Sequence, residues 1–232
     1  MESLLPELEL ALGDVEMWGC GDVQKMAASL FPHIPKSSHP HIFLEIGFGA
    51  GEHLAHQAAL HPDVGIIGCE PYINGVASLL QKLAVGSRQL AEKKEDCKLQ
   101  TANCQLSNVR IYQGDARLLI EKLPNHSIDK IFINYPDPWP KARHHKRRLI
   151  SMEFLDALAR VMKPGAELRL ATDDEDYGTW MLEHLLSHPA FQWTAKTCDD
   201  WLNPWRDWIS TRYEQKALKA GRGATYLSFE RI

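Results

Sequence analysis

Phe43-Leu44-Glu45-Ile46-Gly47-Phe48-Gly49-Ala50-Gly51-Glu52 runs from an apolar segment into a glycine-rich turn and then into a helical pattern. Glycines at alternate positions admit positive φ and let the backbone approach a ligand with no Cβ in the way. The turn also delivers the free N–H groups of a helix start. The spacing is G-x-G-x-G, not the G-x-G-x-x-G that seats a pyrophosphate. A tight turn beneath an adenosyl sulfonium suits it better, with Gly47 and Gly49 facing the ligand and Glu45 meeting its cationic methionine end. The alternative is a turn that merely packs a helix on a strand.

Outward from this turn, short apolar, β-branched runs predict strands at 41–46, 65–70, 108–113, 129–135, 167–172 and 225–231. Helical patterns fall between them at 52–61, 73–84 and 151–162. That alternation is the signature of a parallel sheet flanked by helices. In 151–162, Phe154, Leu155, Leu158, Val161 and Met162 share one face, and Lys163-Pro164-Gly165 supplies a stop signal. The polar segment 86–107 either extends the preceding helix or crosses the surface as a loop. Residues 1–40 are expected to form a peripheral segment of one or two helices with a linker from Pro32 to Pro40, ahead of one α/β domain over 41–232.

Composition narrows the function classes. A chain of 232 residues with 44% hydrophobic and 24% charged residues can bury a sizeable core, which excludes a disordered tail as its main body. No apolar run reaches bilayer length, and the opening MESLLPELEL lacks the basic region of a secretory signal. Five scattered cysteines with no C-x-x-C pair favour reduced thiols over disulfides or zinc. A cytoplasmic protein with no membrane and no metal partner is expected. The net charge of −4 advertises no nucleic acid, so an RNA site must come from local clustering.

Two further strands end in carboxylates. Cys69-Glu70 lies about twenty residues past the glycines, where an acid can accept both ribose hydroxyls. Asp115, in Gln113-Gly114-Asp115-Ala116, is placed to accept an adenine amino group. A single strand-end acid is more often a solvated turn residue. Three of them behind a glycine turn point to the crevice where open α/β sheets bind ligands.

The fourth strand runs into Asn134-Tyr135-Pro136-Asp137-Pro138-Trp139-Pro140. Three prolines fix an extended path with few backbone donors. Asp137 beside Trp139 on that stiff path is suited to holding a flat base. Five Lys/Arg and two His follow within residues 141–148. This run reads as a phosphate-binding patch including Lys141, Arg143, Lys146 and Arg147, or as a solvated face.

These residues resemble the bacterial tRNA (guanine-N7)-methyltransferase family. The resemblance rests on L-E-I-G-F-G-x-G at 44–51, P-D-P-W-x-K-x-R-H-x-K-R-R at 136–148, A-T-D at 171–173, T-R-Y-E-x-K-x-x-x-x-G at 211–221 and F-E-R at 229–231. It implies a Rossmann-like class I methyltransferase fold, α/β with a mostly parallel seven-stranded sheet, and methylation of a guanine in the tRNA variable loop. It places Glu45, Glu70, Asp115 and Asp137 around S-adenosylmethionine, with Asp137 also at the catalytic position. It places Lys141, Asp173, Thr211, Arg212, Tyr213 and Glu214 at substrate-contacting positions. Asp173 has a second reading as the N-cap of a helix after Thr172-Asp173-Asp174-Glu175.

The chain departs from the family in four places. Residues 1–40 carry only Lys25 and Lys36 as basic residues apart from histidines, where many relatives have an Arg-rich arm. The segment 86–107 is longer than usual, Asn134-Tyr135 replaces paired aromatics or aliphatics, and Pro140 stands where His is common. Two other functions compete. One is transfer to an exocyclic amino group, since Asn134-Tyr135-Pro136 loosely matches an Asn-Pro-Pro-aromatic loop. The other is a non-catalytic RNA-binding protein with a degenerate Rossmann-like domain, against which the intact glycines and strand-end acids argue.

Overall fold

Every residue of β1 (Ile42–Ile46) and of β2 (Gly65–Cys69) is buried, as strands covered on both faces must be. The computed structural model describes residues 8–11, 13, 22–32, 34, 40–92 and 108–232, with side chains to 84 in the helix that ends at 92. Contacts divide the chain into two compact units, Met1–Pro124 and Asn125–Ile232.

In the first unit β1 pairs with β2, and β2 with β3 (Val109–Tyr112), all parallel. Leu44 lies opposite Ile67, and Ile67 opposite Arg110. The glycines of β2 exist for packing. A Cβ on Gly68 would stand 2.3 Å from Leu54, and one on Gly65 would stand 2.4 Å from the Phe31 ring. The crossovers are α2 (Glu52–Leu60) and α3 (Ile73–Glu92), and α4 (Ala116–Lys122) follows β3. Residues 86–92 therefore extend the preceding helix, while 93–107 lie outside the described residues.

Of the first forty residues, the described parts pack within this unit. Leu8 and Leu10 are buried, and the Leu10 N–H donates to the Ile111 carbonyl at 2.8 Å. Helix α1 (Val23–Leu30) is capped by Asp22, which accepts from the Lys25 N–H, and buries Met26, Ala27 and Leu30. Most of the expected linker from Pro32 to Pro40 lies outside the described residues.

The second unit holds β4 (Ile128–Asn134), β5 (Met162–Thr172), β6 (Phe191–Trp193) and β7 (Thr225–Arg231), in the order β4-β5-β7-β6. β4 and β5 are parallel, whereas β7 runs antiparallel to both β5 and β6. Among the described residues the two units hold seven strands, and the pairing in the second unit is mixed. The strand β6 escapes a periodicity reading because it is three residues long. Its Trp193 packs edge-on against Phe229 of β7 at 5.3 Å.

The helices of this unit are α5 (Met152–Val161), α6 (Glu175–Ser187), α7 (Asp199–Leu202) and α8 (Arg212–Lys219), with a 3₁₀ turn at Ala142–Arg147. Ser151 caps α5, whose apolar face buries Phe154, Leu155, Leu158 and Val161 as its spacing predicts. The helix does stop before Lys163-Pro164-Gly165, but these residues then sit inside β5. The register passes from Ile128–Met162 directly to Lys130–Glu167, so the chain bulges there. Pro164 has no ladder donor and Gly165 takes φ 79°, which suits an unpaired bulge. No helix of the described residues is long and apolar enough to cross a membrane.

Gly51 has φ 78°, and a Cβ there would lie 2.7 Å from Leu79. Gly51→Ala combines a strained backbone with overpacking, and should lower unfolding stability by about 1–3 kcal/mol. Urea unfolding checks this through a lowered midpoint with an unchanged slope.

Candidate active site

The first unit builds its turn at the carboxyl ends of β1 and β2. Gly47, Gly49 and Gly51 all take positive φ, at 73°, 54° and 78°. The Gly47 N–H donates to the Cys69 carbonyl at 2.8 Å, tying the turn to the end of β2. Glu70, 5% exposed, accepts the Gly49 N–H at 2.8 Å on one oxygen and the Tyr72 N–H at 3.0 Å on the other. Helix α3 closes the back of the turn with residues at helical spacing. Ser78 and Lys82 donate to the Ala50 carbonyl at 3.1 and 2.8 Å, and a Cβ on Gly75 would stand 2.4 Å from the Gly49 carbonyl.

The other side of the turn is open, since a Cβ on Gly47 or Gly49 would meet nothing within 4 Å. An open glycine backbone with carboxylates at the ends of β2 and β3 fits an adenosyl ligand. Each Glu70 oxygen keeps a second lone pair for a hydroxyl donor. Asp115 is exposed and caps α4, accepting from the Arg117 N–H at 3.0 Å. Glu45 is the acid near the end of β1. It is buried inside β1, and His53 Nδ1 lies 2.9 Å from its Oε2, with Gln57 next in line at 3.5 Å from His53 Nε2. Burial, with Asp115 and Glu70 nearby, pushes the Cys69 thiol well up, so it stays protonated.

In the second unit the loop after β4 is bracketed by two aromatics in left-handed backbone, Tyr135 at φ 52° and Trp139 at φ 46°. Non-glycine residues hold that conformation at a cost of order 1–3 kcal/mol and need outside anchors. Between them Asp137 is exposed, flanked by two prolines that carry no N–H.

The anchor for Tyr135 is Glu214 of α8. Glu214 is 3% exposed and accepts hydrogen bonds from Tyr135 Oη at 2.8 Å, from Trp208 Nε1 at 3.1 Å and from Tyr226 Oη at closer range. Burial alone would raise its pKa, but hydrogen bonds from Ser210, Tyr226, Tyr135 and Trp208 outweigh it and hold the carboxyl below its ordinary value. Burial, then the carboxylate they face, pushes the Tyr135 and Tyr226 hydroxyls far up, so both remain donors. Glu214 thus lies inside the fold, beneath the surface on which its neighbours stand.

Those neighbours include Tyr213, whose exposed ring lies 5.0 Å from that of Tyr135. Thr211 caps α8 through the Glu214 N–H, and Arg212 is exposed beside it. Asp173 is not the N-cap of α6. Asp174 takes that place, accepting from the Tyr177 N–H at 2.8 Å. The Asp173 carboxylate instead accepts from Arg222 Nε at 2.8 Å and Tyr213 Oη at 3.2 Å, and its side chain is 7% exposed.

Lys141, Arg143, Lys146 and Arg147 are exposed on and beside the 3₁₀ turn. The Arg147 guanidinium lies over the Trp139 ring at 4.8 Å. Arg148 leaves the basic face altogether, with a side chain only 1% exposed whose Nε donates to the Pro138 carbonyl at 2.8 Å. The exposed Lys and Arg of the patch are therefore four, Lys141, Arg143, Lys146 and Arg147. The sequence reading also missed Ser78, Lys82, Trp208, Arg222 and Tyr226. For Ser78 and Lys82 a signal existed, since with Gly75 and Leu79 they form one stripe of α3.

Residues 39–227 match the family model described as "putative methyltransferase". A tRNA (guanine-N(7)-)-methyltransferase of Roseobacter denitrificans is 52% identical over 190 residues, covering 82% of this chain and 73% of that protein. A protein of the same description from Agrobacterium fabrum is 42% identical over 231 residues, covering 100% of this chain and 87% of its own. Among solved structures, the 16S rRNA methyltransferase KamB aligns with a TM-score of 0.57 at 14% identity, over 92% of this chain and 95% of its own. The aminoglycoside resistance methyltransferase NpmB1 aligns at 0.56 and 15% identity, over 91% and 94%. At such identities these two likenesses establish the fold, Rossmann-like and α/β.

Glu214→Gln replaces an acceptor-only carboxylate with an amide whose NH₂ faces donors. It should cost about 1–3 kcal/mol at pH 7. Because the folded-state pKa is lowered from 4.5, the wild-type advantage is full above the ordinary glutamate range and disappears as pH falls through the folded value. Urea midpoints of both proteins from pH 7 into the acid limb measure the convergence.

Proposed function

The chain belongs to the tRNA (guanine-N7)-methyltransferase family, and on that premise we propose that it methylates N7 of a guanine in the tRNA variable loop. S-adenosylmethionine, when bound, supplies an electrophilic methyl that guanine N7 accepts on an in-plane lone pair, with no proton to remove. The chain's own work is then to orient the base and to stabilise charge as it moves onto the purine.

In the first unit, Gly47 and Gly49 leave backbone open to the cofactor. Glu70 receives its ribose hydroxyls and Asp115 its amino group. Glu45, hydrogen-bonded with His53, supports the turn that receives the methionine end. In the second unit, Asp137 holds the donor edge of the guanine and balances the cationic product. It is no general base, since the reaction releases no proton from N7. Tyr213 and Asp173, which are hydrogen-bonded to each other, offer a second contact to the base, and Thr211 and Glu214 fix the start of α8, which carries Tyr213. Lys141, Arg143, Lys146 and Arg147 take the flanking phosphates.

One observation carries this reading. Asp137 is exposed, while both residues bracketing its loop hold a conformation that their type disfavours. Backbone strain retained around a single open carboxylate supports a role in placing a ligand.

Asp137→Ala should lower formation of 7-methylguanine in bulk tRNA about 10³-fold or more with an unchanged melting temperature. Nucleoside analysis after digestion reads the product, and wild-type turnover by the variant would sink the assignment. Replacing Arg143, Lys146 and Arg147 by alanine should weaken tRNA binding and flatten the slope of log K against log salt by about 2–3. Titrations at several salt concentrations measure it, and an unchanged slope would refute the phosphate role.

A further inference from the structure

Arg148 is the one member of the basic run that no phosphate can reach. Its side chain is 1% exposed, whereas Arg143, Lys146 and Arg147 are open to solvent. A buried guanidinium is costly unless paired and hydrogen-bonded. Here its ion-pair partner, Asp176 of α6, is itself 68% exposed, and Nη1 has no hydrogen-bond partner among the described residues. Stability alone does not account for such a group.

Its remaining contacts point to one place. Nε donates to the carbonyl of Pro138, directly after Asp137, and Nη2 bonds to Asp176 Oδ2. The guanidinium carbon lies 5.0 Å from both the Tyr177 and the Trp180 ring centroids, on α6. The same two residues hold the chain just beyond Arg148. Tyr177 Oη accepts the Leu149 N–H at 3.1 Å, and Trp180 Nε1 donates to the Ile150 carbonyl at 2.8 Å. Helix α6 is therefore a platform against which one planar cation lies as it reaches the loop.

Trp139, next to the bonded carbonyl, is the residue at φ 46°. Release of the Pro138 carbonyl would let the 138–139 peptide rotate and Trp139 return to an ordinary conformation, carrying Asp137 with it. We infer that Arg148 is a positioning residue that locks the Pro138 peptide and thereby aims Asp137. This rests on the reading that Asp137 acts on the base. Lysine cannot substitute, since it lacks the planar fork that bonds a carbonyl and a carboxylate together while lying against two rings.

The test is Arg148→Lys in the full chain, which keeps the charge and removes the fork. At saturating tRNA and S-adenosylmethionine, kcat should fall about 10- to 100-fold, as expected for misplacement of a reacting group. The KM for tRNA and the salt slope of binding should stay at wild-type values. In Arg148→Ala, added methylguanidinium should restore part of the lost kcat, which a general loss of stability would not allow. Asp176→Asn, altering an exposed partner, should lower kcat a few-fold and keeps the test open if the Arg148 variants do not fold. Wild-type kcat in Arg148→Lys, or a salt slope reduced by about 1 with kcat intact, would overturn the inference. Failure of the Asp137 reading is seen separately, as product formation by Asp137→Ala.

Discussion

A buried carboxylate that meets only donors cannot be moved without leaving several of them unpaired. Glu214 is in that position, taking hydrogen bonds from Tyr135 at the end of β4, from Tyr226 in β7 and from Trp208 ahead of α8. Charge-assisted bonds of this kind are roughly twice as strong as neutral ones. They also act jointly, because hydrogen bonds in one buried network polarise one another. The end of a strand, the start of a helix and the aromatic rings around them are thereby fixed to one group. Tyr135 is the point at which this rigidity passes to the loop carrying Asp137.

The first unit solves a comparable problem with backbone donors. Glu70 grips the glycine turn through the Gly49 N–H and grips the start of α3 through the Tyr72 N–H. From behind, Ser78 and Lys82 hold the Ala50 carbonyl. The turn is bound on its inner side through both N–H and C=O groups, and its other side is left bare. A backbone preset in this way orders little further when a ligand arrives, which is the condition for affinity from few contacts.

Most of this was legible in the sequence where a short-range rule applies. The alternation of apolar runs and helical patterns located six strands, and the glycine spacing located the turn. What stayed hidden depends on effects that sequence separation conceals. Glu214 sits in a motif with Thr211 and Tyr213, which suggests a surface contact, yet its donors come from positions 79 residues before and 12 after it. Arg148 looks like any member of a charge run until its contacts with Pro138 and α6 are seen. Asp173 and Asp174 are chemically alike, and only the start of α6 decides which caps it. Strand β6 is too short for a period to show. Glu45 reads as a ligand group, and its pairing with His53, the second residue of α2, is visible only once strand and helix are folded together.

The two left-handed aromatics also bear on how this protein can change. At most positions a substitution that relaxes the backbone is stabilising and harmless. At Tyr135 and Trp139 a glycine would relieve strain of order 1–3 kcal/mol, but it would also remove a donor to Glu214 in one case and the ring beneath Arg147 in the other. Selection for a tougher fold and selection for an ordered loop therefore pull in opposite directions at these residues. Attempts to raise thermal tolerance will find their gains elsewhere in the chain, and variants of this loop have to be read for activity as well as stability.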